Sequence, residues 1–315
     1  MKTKILAVVG PTASGKTGLS IALAKKYNGE VVSADSMQIY KGMQIATAKP
    51  TKEEMNGIRH HMIDFLKPDM SYSVGQYVLD AREAVDSVIS RGKLPILCGG
   101  TGLYVDSLLQ GIDFVEDSSD DKIRDELTKL AQEKGAEYLL SILKEFDPES
   151  AARLEREINI KRIVRAIEFY RVTGKTITEQ NEESRLKGSR YDSLIIGLTA
   201  TDRQYIYDRI NRRVDIMLEQ GLLDEAKEVL NSNLSETSSK AIGYKQLLPY
   251  LKNEQSLDEC VERLKTETRR YAKRQLTWFR RNDSIHWINI DEFKTTDEQT
   301  EEVGRIIDEK GFING

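Results

Sequence analysis

Only two cysteines occur in the 315 residues, Cys98 and Cys260, and they lie far apart in the chain. Two isolated cysteines build no disulfide scaffold and match no metal-ligand spacing, so a reducing cytoplasm is expected. No stretch approaches the roughly 18 apolar residues that span a bilayer, which excludes a membrane helix and predicts no membrane partner. Residues 1–10 form a Lys-flanked apolar strand without the long core and small-residue cleavage site of a signal peptide. Fixed-period repeats and low-complexity linkers are also missing. The pair His60-His61 has no Cys or carboxylate at a ligand spacing and is read as structural. Net charge is small, −4, although 31% of the residues are charged. A 39% hydrophobic content is ordinary for a folded chain and excludes disorder.

What is present reads as an α/β pattern. Residues 4–9 (KILAVV), 30–34 (EVVSA), 94–98 (LPILC) and 194–198 (LIIGL) are short apolar runs of strand length. Helical spacing marks 18–27 and 74–90, the latter with Val78, Ala81, Val85 and Val88 on one face. Strands alternating with helices predict a P-loop-like parallel sheet flanked by helices, with working groups at the carboxyl ends of the strands. The character changes near residue 115. Residues 116–126 carry six acids, and the pattern to about 188 is helical. The expected organisation is a catalytic core of 1–115 and 191–315, with C-terminal helices, interrupted by a helical insertion domain over 116–190. Residues 202–281 read as helical, and 295–315 as a final amphipathic helix.

The segment Gly10, Pro11, Thr12, Ala13, Ser14, Gly15, Lys16, Thr17 matches G-x-x-x-x-G-K-[ST] in full, between a strand and a helix. Such a loop turns backbone N–H groups inward around a diphosphate, and the following helix N-terminus favours negative charge. Lys16 reaches the outer phosphate, and the Thr17 hydroxyl is the expected ligand of Mg²⁺. A typical ATPase also places a metal-holding acid after a buried strand. Here 94–98 ends instead in Gly99, Gly100, Thr101 and Gly102. The candidate acid is Asp35, beyond the second strand, where it can orient or deprotonate a nucleophile. Its neighbours Ser36, Met37 and Gln38 are candidate contacts, and the Gln38 amide could read a base edge. Thr101 has a similar position at another strand end.

Basic residues are concentrated. From 263 to 281 there are eight Lys or Arg against one acid, Glu267, with Tyr271, Trp278 and Phe279 interleaved. Arg270, Lys273, Arg274 and Arg280 are the candidates for polyanion contact in this run. Two smaller clusters surround Lys161, Arg162 and Arg165, and Lys240 to Lys245 with Gly243 and Tyr244. Three basic clusters in an acidic protein predict a nucleic-acid surface. An ATP-dependent small-molecule kinase would explain the loop and Asp35 but not these clusters. A non-catalytic RNA-binding protein would leave Lys16 and Thr17 without a purpose.

The motifs GPTASGKT at 10–17, DSMQIYKGM at 35–43, TAKPT at 47–51, GGTGLY at 99–104, GYKQ at 243–246 and YAKRQLTWFR at 271–280 resemble the tRNA dimethylallyltransferases. The likeness covers nearly the whole chain in order, with Met37 a small departure from the family pattern. It implies transfer of a five-carbon group from dimethylallyl diphosphate to the N6 amine of adenosine at tRNA position 37, beside the anticodon, in tRNAs reading codons that begin with U. Pyrophosphate leaves. The phosphate loop then holds the prenyl diphosphate rather than ATP. The resemblance assigns the proton acceptor to Asp35, with Thr101 beside it. Lys16, Mg²⁺ on Thr17, and Arg213 would stabilise the pyrophosphate, with Arg209 one turn earlier as the reserve. It also assigns tRNA contacts to Asp35, Ser36, Met37, Gln38, Thr101, to Lys161, Arg162, Ile163, Val164, Arg165, and to Lys240, Ala241, Ile242, Gly243, Tyr244, Lys245. The expected partner is the anticodon stem-loop, clasped by the insertion and bound by a monomer.

Overall fold

The computed structural model describes residues 2–112, 114 and 120–313. The chain forms two compact units, one of Met1–Leu109 with Tyr191–Gly315, the other of Gln110–Arg190. The domain boundary expected at 115 and the acids Glu116 and Asp117 lie outside the described residues, as do the last two positions of the 295–315 tail.

In the first unit β1 (Thr3–Val9) runs into α1 (Lys16–Lys26), β2 (Gly29–Ser33), α2 (Lys52–Met55), β3 (His60–His61), α3 (Val74–Ser90), β4 (Leu94–Gly99) and α4 (Gly102–Leu109). The strands form one six-stranded sheet, completed by β5 (Tyr191–Thr199) and β6 (Ile285–Asn289). Its order is β3-β2-β4-β1-β5-β6 and every pairing is parallel. β1 is central, paired to β4 through Val8↔Cys98 and to β5 through Val8↔Ile196. Its residues from Ile5 to Val9 are fully buried, as a run covered on both faces must be. α1 packs on β1, β2 and β4, and α3 packs on β2 and β4. Ser73 caps α3 by accepting from Gln76 N–H, and Tyr77, Val78, Ala81, Val85 and Val88 form its buried face. The core joins Leu6, Val8, Leu19, Leu23, Ile196 and Leu198 to the outer helices.

The strand order brings the ends of β2, β4, β1 and β5 side by side, so the loops after β1, β2 and β4 share one edge. β6 was not anticipated from the sequence. Its buried residues Ile285 and Ile288 are three apart, so the alternation that marks a half-buried strand is missing. The two-residue β3 and the short α2 were likewise unanticipated.

After β5 come α10 (Arg203–Glu219), α11 (Leu222–Leu230), α12 (Tyr244–Leu251) and α13 (Leu257–Phe279), and the C-terminal α14 (Thr296–Glu309) packs against α1. α13 opens with a reciprocal cap between Ser256 and Glu259, worth about 1 kcal/mol.

The second unit is helical: α5 (Asp121–Lys134), α6 (Ala136–Phe146), α7 (Pro148–Glu155), α8 (Ile160–Thr173) and α9 (Ile177–Lys187). Leu127, Leu139, Leu143, Ile163 and Ile167 are its fully buried centre. Glu168 is buried there too, and accepts from Asp120 N–H, Arg124 and Arg165.

Candidate active site

The site is built where β1 meets α1. The loop between them bends through left-handed backbone at Ala13 (φ 63°) and Gly15 (φ 90°). Ala13 holds that conformation although it carries a Cβ, and Arg209 Nε donates to its carbonyl at 2.7 Å. Lys16 opens α1, and its ammonium donates to Pro11 O at 2.7 Å. Burial pushes the Lys16 pKa down to about 8; Cys98 and Asp35 oppose that shift and Arg213 adds to it. Arg213, on α10, donates from Nη1 to Thr12 Oγ1 at 3.3 Å. Burial and then the neighbouring Arg209 lower its pKa, yet a guanidinium stays charged.

A cavity of about 1030 Å³ opens over this loop. Thr12, Ala13, Gly15, Lys16 and Thr17 line one side, with Arg213. Asp35, Ser36, Met37 and Gln38 line another, and Lys240 to Gly243, Tyr271, Arg274 and Gln275 complete the wall. Gly10, Pro11 and Ser14 are buried and lie behind the residues that line it. They shape the loop: a Cβ at Gly10 would meet Leu198 O at 2.6 Å, and Pro11 O receives Lys16.

Asp35 follows β2. Its Oδ1 accepts from Met37 N–H at 2.9 Å and from Gln38 N–H at 3.4 Å, which folds the turn 35–38. Burial raises its pKa against the pull of the Met37 amide, Lys16 and the Gln38 amide. Gln38 is not free to read a base. Ser33 Oγ donates to its Oε1, and its Nε2 donates to Thr47 O and Ala48 O, each at 3.2 Å. Thr101 does not line the cavity either. Its Oγ1 accepts from Ser36 N–H at 3.0 Å, so it anchors the Asp35 turn.

The wall opposite the loop is held by Glu225, which the sequence did not single out. Its carboxylate accepts from the N–H groups of Gln44, Ile45 and Ala46 at 2.8, 2.7 and 2.9 Å, and from the Tyr244 hydroxyl at 3.0 Å. Residues 44–46, which lead into TAKPT, meet the GYKQ segment there, and a Cβ on Gly243 would come within 3.0 Å of Ala46 Cβ. Gln275 is the second omission. It is a buried amide inside the charged run, four residues after Tyr271.

The basic surface is narrower than the sequence implied. On α13 Lys265 pairs with Asp215 at 2.8 Å, and Arg269 donates to Asn211 at 2.7 Å, so that face is spent on α10. Arg270, Lys273, Arg274 and Arg280 are exposed. Arg274 lies 5.7 Å over the Tyr271 ring. On α8 Lys161 and Arg162 are exposed, Arg165 pairs with Glu168, and Ile163 and Val164 are buried core. Those two apolar residues are therefore not nucleic-acid contacts through their side chains. Tyr244 and Ala241 are buried as well, Tyr244 against Glu225, whereas Lys240 and Lys245 are exposed. His61 Nε2 bonds Glu30 at 2.7 Å, a structural role for the His pair.

Residues 38–282 match the family model described as IPP transferase. The chain belongs to the IPP transferase family. It is 49% identical over 291 residues to the tRNA dimethylallyltransferase of Acetivibrio thermocellus, with 92% of each chain covered. It is 46% identical to that of Alkaliphilus oremlandii over 316 residues, covering 100% of this chain and 99% of the relative. Among solved structures it is similar to the tRNA delta(2)-isopentenylpyrophosphate transferase of Staphylococcus epidermidis: TM-score 0.71, 41% identity, 98% of this chain and 100% of that one. A eukaryotic dimethylallyltransferase acting on tRNA has a TM-score of 0.81 at 30% identity, over 97% of this chain and 78% of its own. These relatives match the transferase expectation and not the kinase. Among the described residues no helix is long and apolar enough to cross a membrane, and no group of three or more acids, His or Cys is placed to hold a metal.

Proposed function

We propose that this family member transfers the dimethylallyl group of dimethylallyl diphosphate to the N6 amine of an adenosine beside the tRNA anticodon. The supporting observation is one cavity that carries cations at one wall and a carboxylate at the other. Lys16 and Arg213 face the space that Asp35 also faces. The diphosphate lies in the loop, and its charge meets Lys16, Arg213 and the α1 N-terminus. The allylic C–O bond breaks, a C–N bond forms to the adenine, and pyrophosphate leaves. The adenine amine is a weak nucleophile because its lone pair is delocalised into the ring. Asp35 orients the N–H and accepts its proton, and the raised pKa brings the carboxyl nearer to working pH. Thr101 and Ser36 hold the Asp35 turn.

The target base has to leave its stack to reach Asp35 inside the cavity. The rim carries Lys240 and Arg274, beside the exposed Arg270 and Lys273, which gives the tRNA backbone a landing face. Thr17 lines the cavity beside Lys16, and its hydroxyl would hold Mg²⁺ with the diphosphate and water supplying most of the remaining oxygens; the ion would supply positive charge to the leaving pyrophosphate. The protein acts as a monomer in the cytoplasm in this reading.

A melting-temperature comparison tests the ligand. Dimethylallyl diphosphate in excess raises the melting temperature and ATP does not. The reverse pattern would return the phosphate loop to a nucleotide and the protein to a kinase-like role.

A further inference from the structure

Gln275 connects the two halves of the site. Thr12 N–H donates to its Oε1 at 2.8 Å, and its Nε2 donates to Gly100 O at 3.0 Å. One partner is a donor and the other an acceptor, so the amide has one orientation. The side chain is only 5% exposed. Gly100 makes the approach possible, since a Cβ there would lie 2.2 Å from Gln275 Nε2.

Each end of this bridge leads to the chemistry. Thr12 belongs to the phosphate loop, and its hydroxyl accepts from Arg213. Gly100 precedes Thr101, whose N–H donates to Ala34 O at 3.1 Å and whose hydroxyl accepts from Ser36 N–H. Asp35 stands between Ala34 and Ser36. Gln275, reaching down from α13, thus ties the loop after β1 to the loop after β4, and Thr101 carries the link on to the loop after β2. The same helix presents Arg270, Lys273 and Arg274 outward.

We propose that Gln275 is a positioning residue that fixes the separation between the diphosphate cradle and the Asp35 carboxylate. It rests on the transfer reaction proposed above. Two rigid walls must hold the allylic carbon and the amine at bonding approach, and small misplacements there are costly.

The test compares the parent with Gln275→Leu and Gln275→Glu in single-turnover transfer to unmodified tRNA, with melting curves alongside. The Leu variant keeps the volume and loses both bonds, and its kcat falls about 100-fold with tRNA affinity unchanged. The Glu variant adds a readout that loss of packing alone does not give. As a carboxylate it still accepts from Thr12 N–H but sets an oxygen against Gly100 O; protonated, it donates to Gly100 O and restores the bridge. Its kcat relative to the parent at the same pH therefore climbs as pH is lowered from about 8 to about 6. A folded Leu variant with the parent's kcat overturns the proposal. If the Leu variant does not fold, a pH-independent ratio for the Glu variant overturns it. If the parent itself transfers nothing, the reaction reading falls and takes the bridge with it. If the parent transfers and the variants match it, the bridge alone falls.

Discussion

Replacing Asp35 by Asn separates the chemical role of this side chain from its local structural one. Asp35 Oδ1 accepts from the Met37 and Gln38 amides. An Asn carbonyl can accept the same two bonds, so the turn survives while the charge and the proton acceptor are gone. The magnitude follows from the role: a general base contributes about 100- to 10,000-fold, which is about 2.7 to 5.4 kcal/mol of barrier. Single-turnover transfer with labelled dimethylallyl diphosphate measures it, and filter binding of tRNA serves as the control. The predicted result is a rate loss in that range with tRNA affinity retained. Stability moves the other way. The folded Asp35 carboxyl has a raised pKa because burial disfavours its charge. The folded state then holds that proton more tightly than the unfolded chain does. The carboxylate costs stability above its folded pKa and nothing below the ordinary aspartate range. Asp35→Asn therefore melts higher than the parent at pH 7, and the gap closes as the solution is acidified. A variant with near-parental rate would refute the base assignment, and one that melts lower at pH 7 would refute the burial argument.

Lys16 sets a basic limb. With its ammonium pushed down to about 8 by burial, kcat/KM for dimethylallyl diphosphate falls about tenfold per pH unit above that value. The limb in kcat lies higher because the bound diphosphate favours the charged form; a flat kcat/KM profile beyond pH 9 would exclude Lys16 as a diphosphate ligand. Glu225→Ala strands the amides of Gln44, Ile45 and Ala46, so urea unfolding should show a loss of about 2–4 kcal/mol, and an unchanged midpoint would remove Glu225 as the anchor of that wall. Arg274→Glu weakens tRNA binding and lowers the salt slope by about one to two, whereas Lys265→Ala, whose ammonium is spent on Asp215, leaves the slope alone. Equal effects from both would mean that the outward face of α13 is not the landing face.

The buried strands and the phosphate loop were legible because their physics is local. A short apolar run such as 4–9, closed by a Gly-rich loop, has the length and flank of a doubly covered strand, and the glycines and Lys16 of the loop carry their own geometry. Asp35 was found from its place at a strand end, since the parallel sheet brings such ends together. The misses are long-range. Gln275 and Glu225 act on segments 263 and about 180 residues away, and no spacing rule reports such a contact. The Gln38 amide has the chemistry to read a base, but Ser33, Thr47 and Ala48, the last two nine and ten residues on, occupy it. In 161–165 helical geometry divides the cluster: Ile163 and Val164 turn into the core while Lys161 and Arg162 face out.

The central claim is that one cavity joins a prenyl diphosphate to a tRNA adenosine. The direct measurement incubates the protein with unmodified tRNA, Mg²⁺ and radiolabelled dimethylallyl diphosphate, then digests the tRNA and separates its nucleosides. The account predicts label in N6-dimethylallyladenosine, released from the residue beside the anticodon. Label that stays in the diphosphate, with ATP hydrolysed or bound instead, would contradict it.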